Sequence, residues 1–273
     1  MISTITFEDI IRCTKTSLET KKEKISIEDV KIMAEDFKTS PSFKKALEEK
    51  NKKSNLGVIC EYKPASPSKG SLSNLKVEDV VKVYESRGAC AISVLTEDKF
   101  FKSSLENLEM ARDHSNLPLI RKDFILEEYQ IYEARILGAS SILLMTSLYP
   151  DLKSGVALCH SLDMEPLVEC SNREEIDLAR SSGAHIIGIN NRNFQDFSVD
   201  LRRTIKLASY VPSDIILVSE SGVNGPVDLK FLAEFGADAV LVGSSIMASK
   251  NIANFGNSVN QLTTAAEGVR RGR

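Results

Sequence analysis

The chain has no apolar run long enough to span a bilayer, which excludes a transmembrane helix. Residues 1–24, MISTITFEDIIRCTKTSLETKKEK, carry acids early and no continuous apolar stretch, so they do not read as a signal peptide. Cysteine is sparse: Cys13, Cys60, Cys90, Cys159 and Cys170 form an odd, scattered set with no C-x-x-C pair. That argues against a disulfide frame or zinc knuckle and for reduced thiols in the cytoplasm, each a small buried apolar side chain. His114, His160 and His185 share no ligand spacing, so no metal is expected. A net charge of -3 leaves no electrostatic footprint for nucleic acid. It still permits a local cluster of Lys and Arg around a small anion. No G-x-G-x-x-G follows the first strand and no G-x-x-x-x-G-K-[ST] occurs, which removes the main support for an open, nucleotide-binding sheet.

What is present is ordinary globular composition, 42% apolar and 27% charged, carrying one recurring unit. A helical stretch ends in Gly-Ala and an apolar strand follows. The unit occurs in YESRGACAISVL at Gly88, ARILGASSILLM at Gly138, ARSSGAHIIGIN at Gly183 and LAEFGADAVLVG at Gly236. Glycine suits the left-handed position just past a helix. The short, β-branched run after it suits a parallel strand covered on both faces. LGVICEYK, LPLIRKDF, EPLVEC and DIILVSES read as further strands without that lead. Eight strands alternating with helices fit the closed (β/α)₈ form of the α/β class, the TIM barrel. Residues 1–50 lie outside the repeat. SIEDVKIMAEDF, with Ser26 and Asp29 at capping spacing and Ile27, Val30 and Phe37 on one face, predicts a helical extension. The expected division is extension 1–50, barrel 51–256, and a helix end and tail 257–273. NQLTTAAEGVRRGR, polar and basic, is expected to fray.

Residues of one parity share a face of a strand. At the C-terminal ends of the expected strands that rule groups Glu61 with Lys63, Leu167 with Glu169, and Val218 with Glu220, and continues Gly188 through Asn190 to Arg192. Lys122 ends the third strand. One charge at a strand end is ordinarily the start of a solvated loop, but five strands ending alike converge on the face where barrel active sites lie. Acids and lysines meeting there shift one another's pKa values. The seventh strand runs into Ser221 and Gly222, and the eighth into Gly243, Ser244 and Ser245. Small residues in those two loops match the usual phosphate position of this fold. SPSKG after the first strand lacks the P-loop pattern and reads as a mobile loop able to close over the cup.

Taken in order, CEYKPASPSKG, SVLTEDKFF, PLIRKDFILEEYQI, EPLVEC, GINNRNF, VSESGV and LVGSSIM resemble the indole-3-glycerol phosphate synthase family across the barrel. The N-terminal extension fits that family too, and the length fits its monofunctional form. The resemblance implies a cofactor-independent carboxy-lyase of tryptophan biosynthesis, acting in the cytoplasm on a phosphorylated small molecule, as a monomer or weak homodimer, without nucleic acid or membrane. It implies ring closure, decarboxylation and dehydration of 1-(2-carboxyphenylamino)-1-deoxyribulose 5-phosphate. By the family's pattern Lys122 is the general acid at the ketone oxygen and Glu169 the general base. Lys63 binds substrate and assists the second stage, and Glu61 orients it. Asn190 and Glu220 position the reacting centre, and Arg192 takes the carboxylate. Ser66, Ser221, Gly222, Gly243 and Ser244 contact phosphate or substrate, with Phe124 and Leu144 as apolar walls. Arg121 departs from the apolar residue or Cys expected before that lysine. By parity both Arg121 and Cys170 face the helix layer, outside the chemistry.

Two other readings stay open on the residues alone. A phosphosugar isomerase would suit acid and base groups on opposite strands, but has less need of two lysines and an arginine. A non-catalytic phosphometabolite-binding barrel would keep Ser221, Gly222, Gly243 and Ser244 without needing Lys122 or Glu169.

Overall fold

The computed structural model describes residues 6–35, 37, 41–67, 69–193, 196–249, 251–269 and 272. Three helices come first: α1 (Phe7–Lys24), α2 (Ile27–Glu35) and α3 (Phe43–Lys52). The strand β1 (Gly57–Tyr62) is followed by a two-residue antiparallel ladder, β2 (Ala65–Ser66) with β3 (Gly70–Ser71). Helix and strand then alternate: α4 (Val77–Ser86), β4 (Ala91–Leu95), α5 (Leu105–His114), β5 (Leu119–Lys122), α6 (Glu128–Ile136) and β6 (Ser141–Met145). The series continues with α7 (Leu152–Ser161), β7 (Leu167–Cys170), α8 (Arg173–Ser181), β8 (Ile186–Asn190), α9 (Arg202–Ala208), β9 (Ile216–Glu220), α10 (Pro226–Glu234) and β10 (Ala239–Val242). A short α11 (Ser244–Met247) and a long α12 (Ile252–Ala265) end it. The eight long strands close into a parallel barrel in the order β1-β10-β9-β8-β7-β6-β5-β4. Among the described residues no helix is long and apolar enough to cross a membrane.

The Gly-Ala unit does the work its sequence suggests. Gly88, Gly138, Gly183 and Gly236 have φ of 84°, 89°, 87° and 99°. Each following alanine donates its N–H back across the helix end, as Ala89 does to the Tyr84 carbonyl at 3.1 Å and Ala139 to Ala134 at 3.0 Å. This left-handed closure satisfies carbonyls that the helix end leaves orphaned and turns the chain straight into the next strand.

Strand parity splits the core in two. Ile59, Ala91, Ile120, Leu143, Leu167, Ile186, Ile216, Val218, Ala239 and Leu241 fill the barrel interior. Val58, Ile92, Ile142, Leu144, Val168, Ile187, Leu217 and Val240 pack outward against the helices. The extension closes both ends. Phe43 and Leu47 of α3 are fully buried with Ile59, Cys90 and Ala239, under the strand entries. Phe7 of α1 meets Phe124 edge-on at 5.7 Å at the opposite, C-terminal rim. Helix α2 has the predicted cap, Asp29 N–H donating to Ser26 Oγ at 3.1 Å, and packs Val30 on Tyr129. Of the stretch 260–273 expected to fray, the part up to Ala265 is helical, and Arg270, Arg271 and Arg273 lie outside the described residues. Helix α12 runs through residue 257 to Ala265, because Phe255, Val259 and Leu262 form a buried stripe against the barrel's helix layer.

Candidate active site

Inward parity of Glu61, Lys122 and Glu220 at the strand ends, with the segments that follow β1, β8, β9 and β10, brings Glu61, Lys63, Lys122, Arg192, Glu220, Ser221, Gly222, Gly243 and Ser244 around one cavity of about 360 Å³. Asn190, Phe124 and Lys122 line its adjoining apolar wall. Glu169 and Asn190 face a neighbouring chamber bounded by Phe7, Arg192 and Arg203. Barrel register explains the grouping: Glu169 is opposite Gly188, and Asn190 is opposite Glu220.

The Lys122 ammonium is the hub. It is 3.5 Å from Glu220 Oε2 and 4.0 Å from Glu169 Oε2. Burial acts to lower the Lys122 pKa, but the carboxylates of Glu220, Glu169 and Glu61 outweigh it, and the net shift is upward. Lys122 is therefore held as a charged donor. Burial raises Glu169, opposed by Lys122 and by Asn190, whose Nδ2 donates to Glu169 Oε2 at 3.0 Å. Burial pushes Glu220 up to about 8, against the pull of Lys122. Apart from the Lys122 ammonium, neither Glu220 oxygen has a hydrogen-bond partner among the described residues. Lys63 and Glu61 form a close ion pair on one strand face, Glu61 being almost completely buried.

Two glycines make room for these acids. A Cβ on Gly188 would collide with Glu220 Oε1, and one on Gly243 with Glu61 Oε2. Gly188→Ala is thus expected to push the Glu220 carboxylate off its position with no change of backbone conformation. An ångström of misplacement costs about 10²-fold in rate, so kcat should fall steeply while the far-ultraviolet spectrum is unchanged. An unaltered kcat would show that the position of Glu220 is unimportant.

The raised Glu220 pKa also has a stability consequence. The folded state keeps a proton that the unfolded chain has released above about pH 4.5, so this stabilisation is lost as pH rises towards 8. Glu220→Gln removes that dependence. Its Tm advantage over wild type should be small at pH 5 and grow to about 2–6 °C by pH 8; a gap that stays constant between those pH values rejects the assignment.

At the far side of the cavity, Ser221 and Gly222 take consecutive left-handed conformations, φ 63° and 98°. For Ser221 this costs about 1–3 kcal/mol. Asn191 holds the turn: its Nδ2 donates to the carbonyls of Glu220 and Ser221, each at 3.0 Å, and its Oδ1 accepts from Thr204. Opposite, Gly243 and Ser244 open α11, whose first N–H groups have no partner within the helix. The result is a cradle of small residues and backbone donors suited to a phosphate. Arg192 Nη1 donates to the Phe197 carbonyl at 3.0 Å, and burial lowers the Arg192 pKa, countered by Glu61. Arginine nonetheless stays charged.

One expected contact is corrected. Leu144 packs in the outer layer; Leu143 and Met145, of opposite parity, face the cavity with Phe101. Ser66 lies next to the cavity-lining Lys69 on the β2–β3 turn. Its Oγ accepts the Lys69 N–H at 3.2 Å inside that turn. Ser68 of the expected lid lies outside the described residues. Phe124 is both wall and core, packed between Phe7 and Phe101. Arg121 is wholly buried outside the barrel, bonded to Asp123 at 3.0 Å and Glu133 at 2.8 Å. Asn191, Lys69, Phe101 and Arg203 are the site residues that sequence reasoning passed over. For Asn191 the doubled amide in GINNR was a usable signal, since the outward member of such a pair can bond neighbouring strand ends.

A closed parallel barrel with mixed acids and lysines at its strand ends, and a cradle after its last two strands, defines the phosphate-handling (β/α)₈ barrels. The sequence model described as indole-3-glycerol phosphate synthase matches residues 7–259. An indole-3-glycerol phosphate synthase of Methanothermobacter marburgensis is 43% identical over 244 residues, 89% of this chain and 87% of that protein. One from Endomicrobium trichonymphae is 41% identical, over 90% of this chain and 96% of its own. The chain belongs to the indole-3-glycerol phosphate synthase family, a family of carboxy-lyases. Thiamine phosphate pyrophosphorylase from Pyrococcus furiosus superposes with a TM-score of 0.60 at 17% identity, over 80% of this chain and 98% of that one, a likeness of fold alone.

Proposed function

We propose that this chain closes the indole ring of 1-(2-carboxyphenylamino)-1-deoxyribulose 5-phosphate, releasing CO₂ and water, as the carboxy-lyase of tryptophan biosynthesis. The observation that carries the reading is Lys122, held charged between Glu169 and Glu220 and facing the Ser221–Ser244 cradle across one cavity. With phosphate in the cradle, the ribulose chain extends towards Lys122. The aromatic ring lies on Phe124, Leu143 and Met145, and its carboxylate meets Lys63 and the Arg192 fork.

Chemistry then follows in two stages. The ring carbon bearing the carboxylate attacks the ketone carbon, and Lys122 donates a proton to the developing alkoxide. Loss of CO₂ returns its bonding electrons to the ring and restores aromaticity. In the second stage hydroxide leaves the new ring alcohol with a proton from a lysine, Lys63 or Lys122, and Glu169 removes the proton from the adjacent carbon. Glu61 keeps Lys63 charged in place, and Asn190 holds Glu169. An isomerase has no use for the Lys63–Arg192 pair, and a binding barrel none for Lys122. The reading carries with it a cytoplasmic enzyme, monomer or weak homodimer, needing no cofactor.

The test is direct. Purified protein given the carboxyphenylamino substrate, without metal or cofactor, should generate indole absorbance and fluorescence with stoichiometric CO₂. Absence of both signals rejects the proposal.

A further inference from the structure

The opposite end of the barrel carries a cluster that the ring-closing chemistry does not use. His160 lies in the last turn of α7, Glu165 just before β7, and His185 just before β8. The Glu165 carboxylate bridges both imidazoles: Oε1 is 3.2 Å from His160 Nε2, and Oε2 is 3.0 Å from His185 Nδ1. The rings are stacked, centroids 4.9 Å apart. All the ligand-type atoms lie within 4.8 Å of one another.

We propose that His160, Glu165 and His185 form a binding site for a divalent transition metal, Zn²⁺ being the probe, on the strand-entry face of the barrel. Two imidazoles and a carboxylate are a donor set suited to such ions. With metal–ligand bonds of about 2.0–2.2 Å, neighbouring ligand atoms in a tetrahedral site are about 3.3 Å apart. Each nitrogen meets that spacing to its own carboxylate oxygen, His160 to Oε1 and His185 to Oε2. To meet at one metal the two nitrogens must close and the carboxylate must pivot to offer one oxygen to both, by rotation about histidine χ2 and glutamate χ3, both broad and soft torsions. Both histidines are partly exposed, with side-chain accessibility of 32% and 49%, so the rings have room to turn and a fourth position stays open to water. Glu165, at 12%, is the least exposed member.

The backbone beneath is already ordered. Glu165 N–H donates to the Ser140 carbonyl at 2.9 Å, and the His185 carbonyl accepts from Ile216 N–H at 2.9 Å. A metal here would clip the end of α7 to the entries of β7 and β8. It binds the folded chain in preference to the unfolded one and so stabilises it by mass action. Being at the strand-entry face, it leaves the cup at the other rim untouched.

The experiment uses the full chain, stripped with a chelator and titrated with Zn²⁺ by calorimetry, alongside thermal melts. One equivalent should bind, and saturating Zn²⁺ should raise Tm by about 5 °C. His160→Ala and His185→Ala should each abolish both effects while His114→Ala keeps them, and the rate of indole formation should not change in any of the three. Co²⁺ should give the visible bands of a tetrahedral site in wild type and lose them in His185→Gln, a second variant that retains a polar side chain. Zn²⁺ binding that survives in the His160 and His185 variants, or wild type with neither heat nor Tm shift, overturns the proposal and leaves a hydrogen-bonded clip without metal.

Discussion

Lys122→Ala is expected to lower kcat by roughly 10⁴-fold, the upper end of what one general acid–base group supplies, with only a small change in KM. The size follows from the charge arrangement. Lys122 is the cation nearest Glu169 and Glu220, and it draws both carboxyl pKa values down against burial. Removing it deletes the proposed proton donor and, at the same time, lets both acids rise further. Glu169 is then more often protonated and unavailable as a base. One substitution therefore disables both stages. In the proposed binding mode substrate affinity is carried elsewhere, by the Ser221–Ser244 cradle and by Arg192, so a reduced substrate analogue should bind within a few-fold of wild type. The fold should survive, because the acids left behind can take up protons rather than remain as unpaired buried charge. The residual activity should rise with pH more steeply than in wild type, as Glu169 ionises later. Steady-state kcat and KM across pH, with analogue affinity measured separately, check this. A kcat near wild type would remove Lys122 from its proposed role.

The alternation of strands and helices was legible because each unit carries its own stop signal. Gly88, Gly138, Gly183 and Gly236 take the left-handed conformation that their position after a helix implied. The inward set Glu61, Lys122, Glu169, Asn190 and Glu220 was legible for a simpler reason: parity is fixed by the backbone and needs no knowledge of neighbours. The same rule, followed strictly, excludes Leu144, since Leu143 and Met145 hold the inner face of β6. For Ser66 the letters carried less. Its hydroxyl is used inside a turn by the Lys69 amide, and nothing in the letters SPSKG distinguishes a local bond from a ligand contact. Lone histidines far apart in sequence gave no spacing signal. Only the parallel pairing of β7 with β8 brings their entries together and puts His160 beside His185. The extent of the C-terminal helix was underread because its apolar stripe is interrupted by Asn, Gln and Thr, and its cohesion comes from packing against α4 and α10 rather than from propensity.

Glu169→Gln should separate the two stages. The amide has the carboxylate's shape and can still meet Asn190 Nδ2, now 3.0 Å from Glu169 Oε2, so the strand end stays ordered. It cannot take a proton. Its effect on ring closure should be small, because that step draws on Lys122, and Lys122 loses only one of its three acidic neighbours. Dehydration needs a base at the carbon next to the departing hydroxyl, and there the loss should be about 10³-fold. In a single turnover, CO₂ should then appear well ahead of indole fluorescence, and the ring-closed, decarboxylated alcohol should accumulate. Burial raises the Glu169 pKa, which places a carboxyl nearer neutrality and makes it a stronger base for this step than an exposed glutamate would be. The wild-type dehydration rate should therefore fall as pH drops through that raised value, with the variant indifferent to pH over the same interval. If CO₂ release and indole formation slow together in the variant, the base acts before decarboxylation, and the division of labour between Lys122 and Glu169 has to be redrawn.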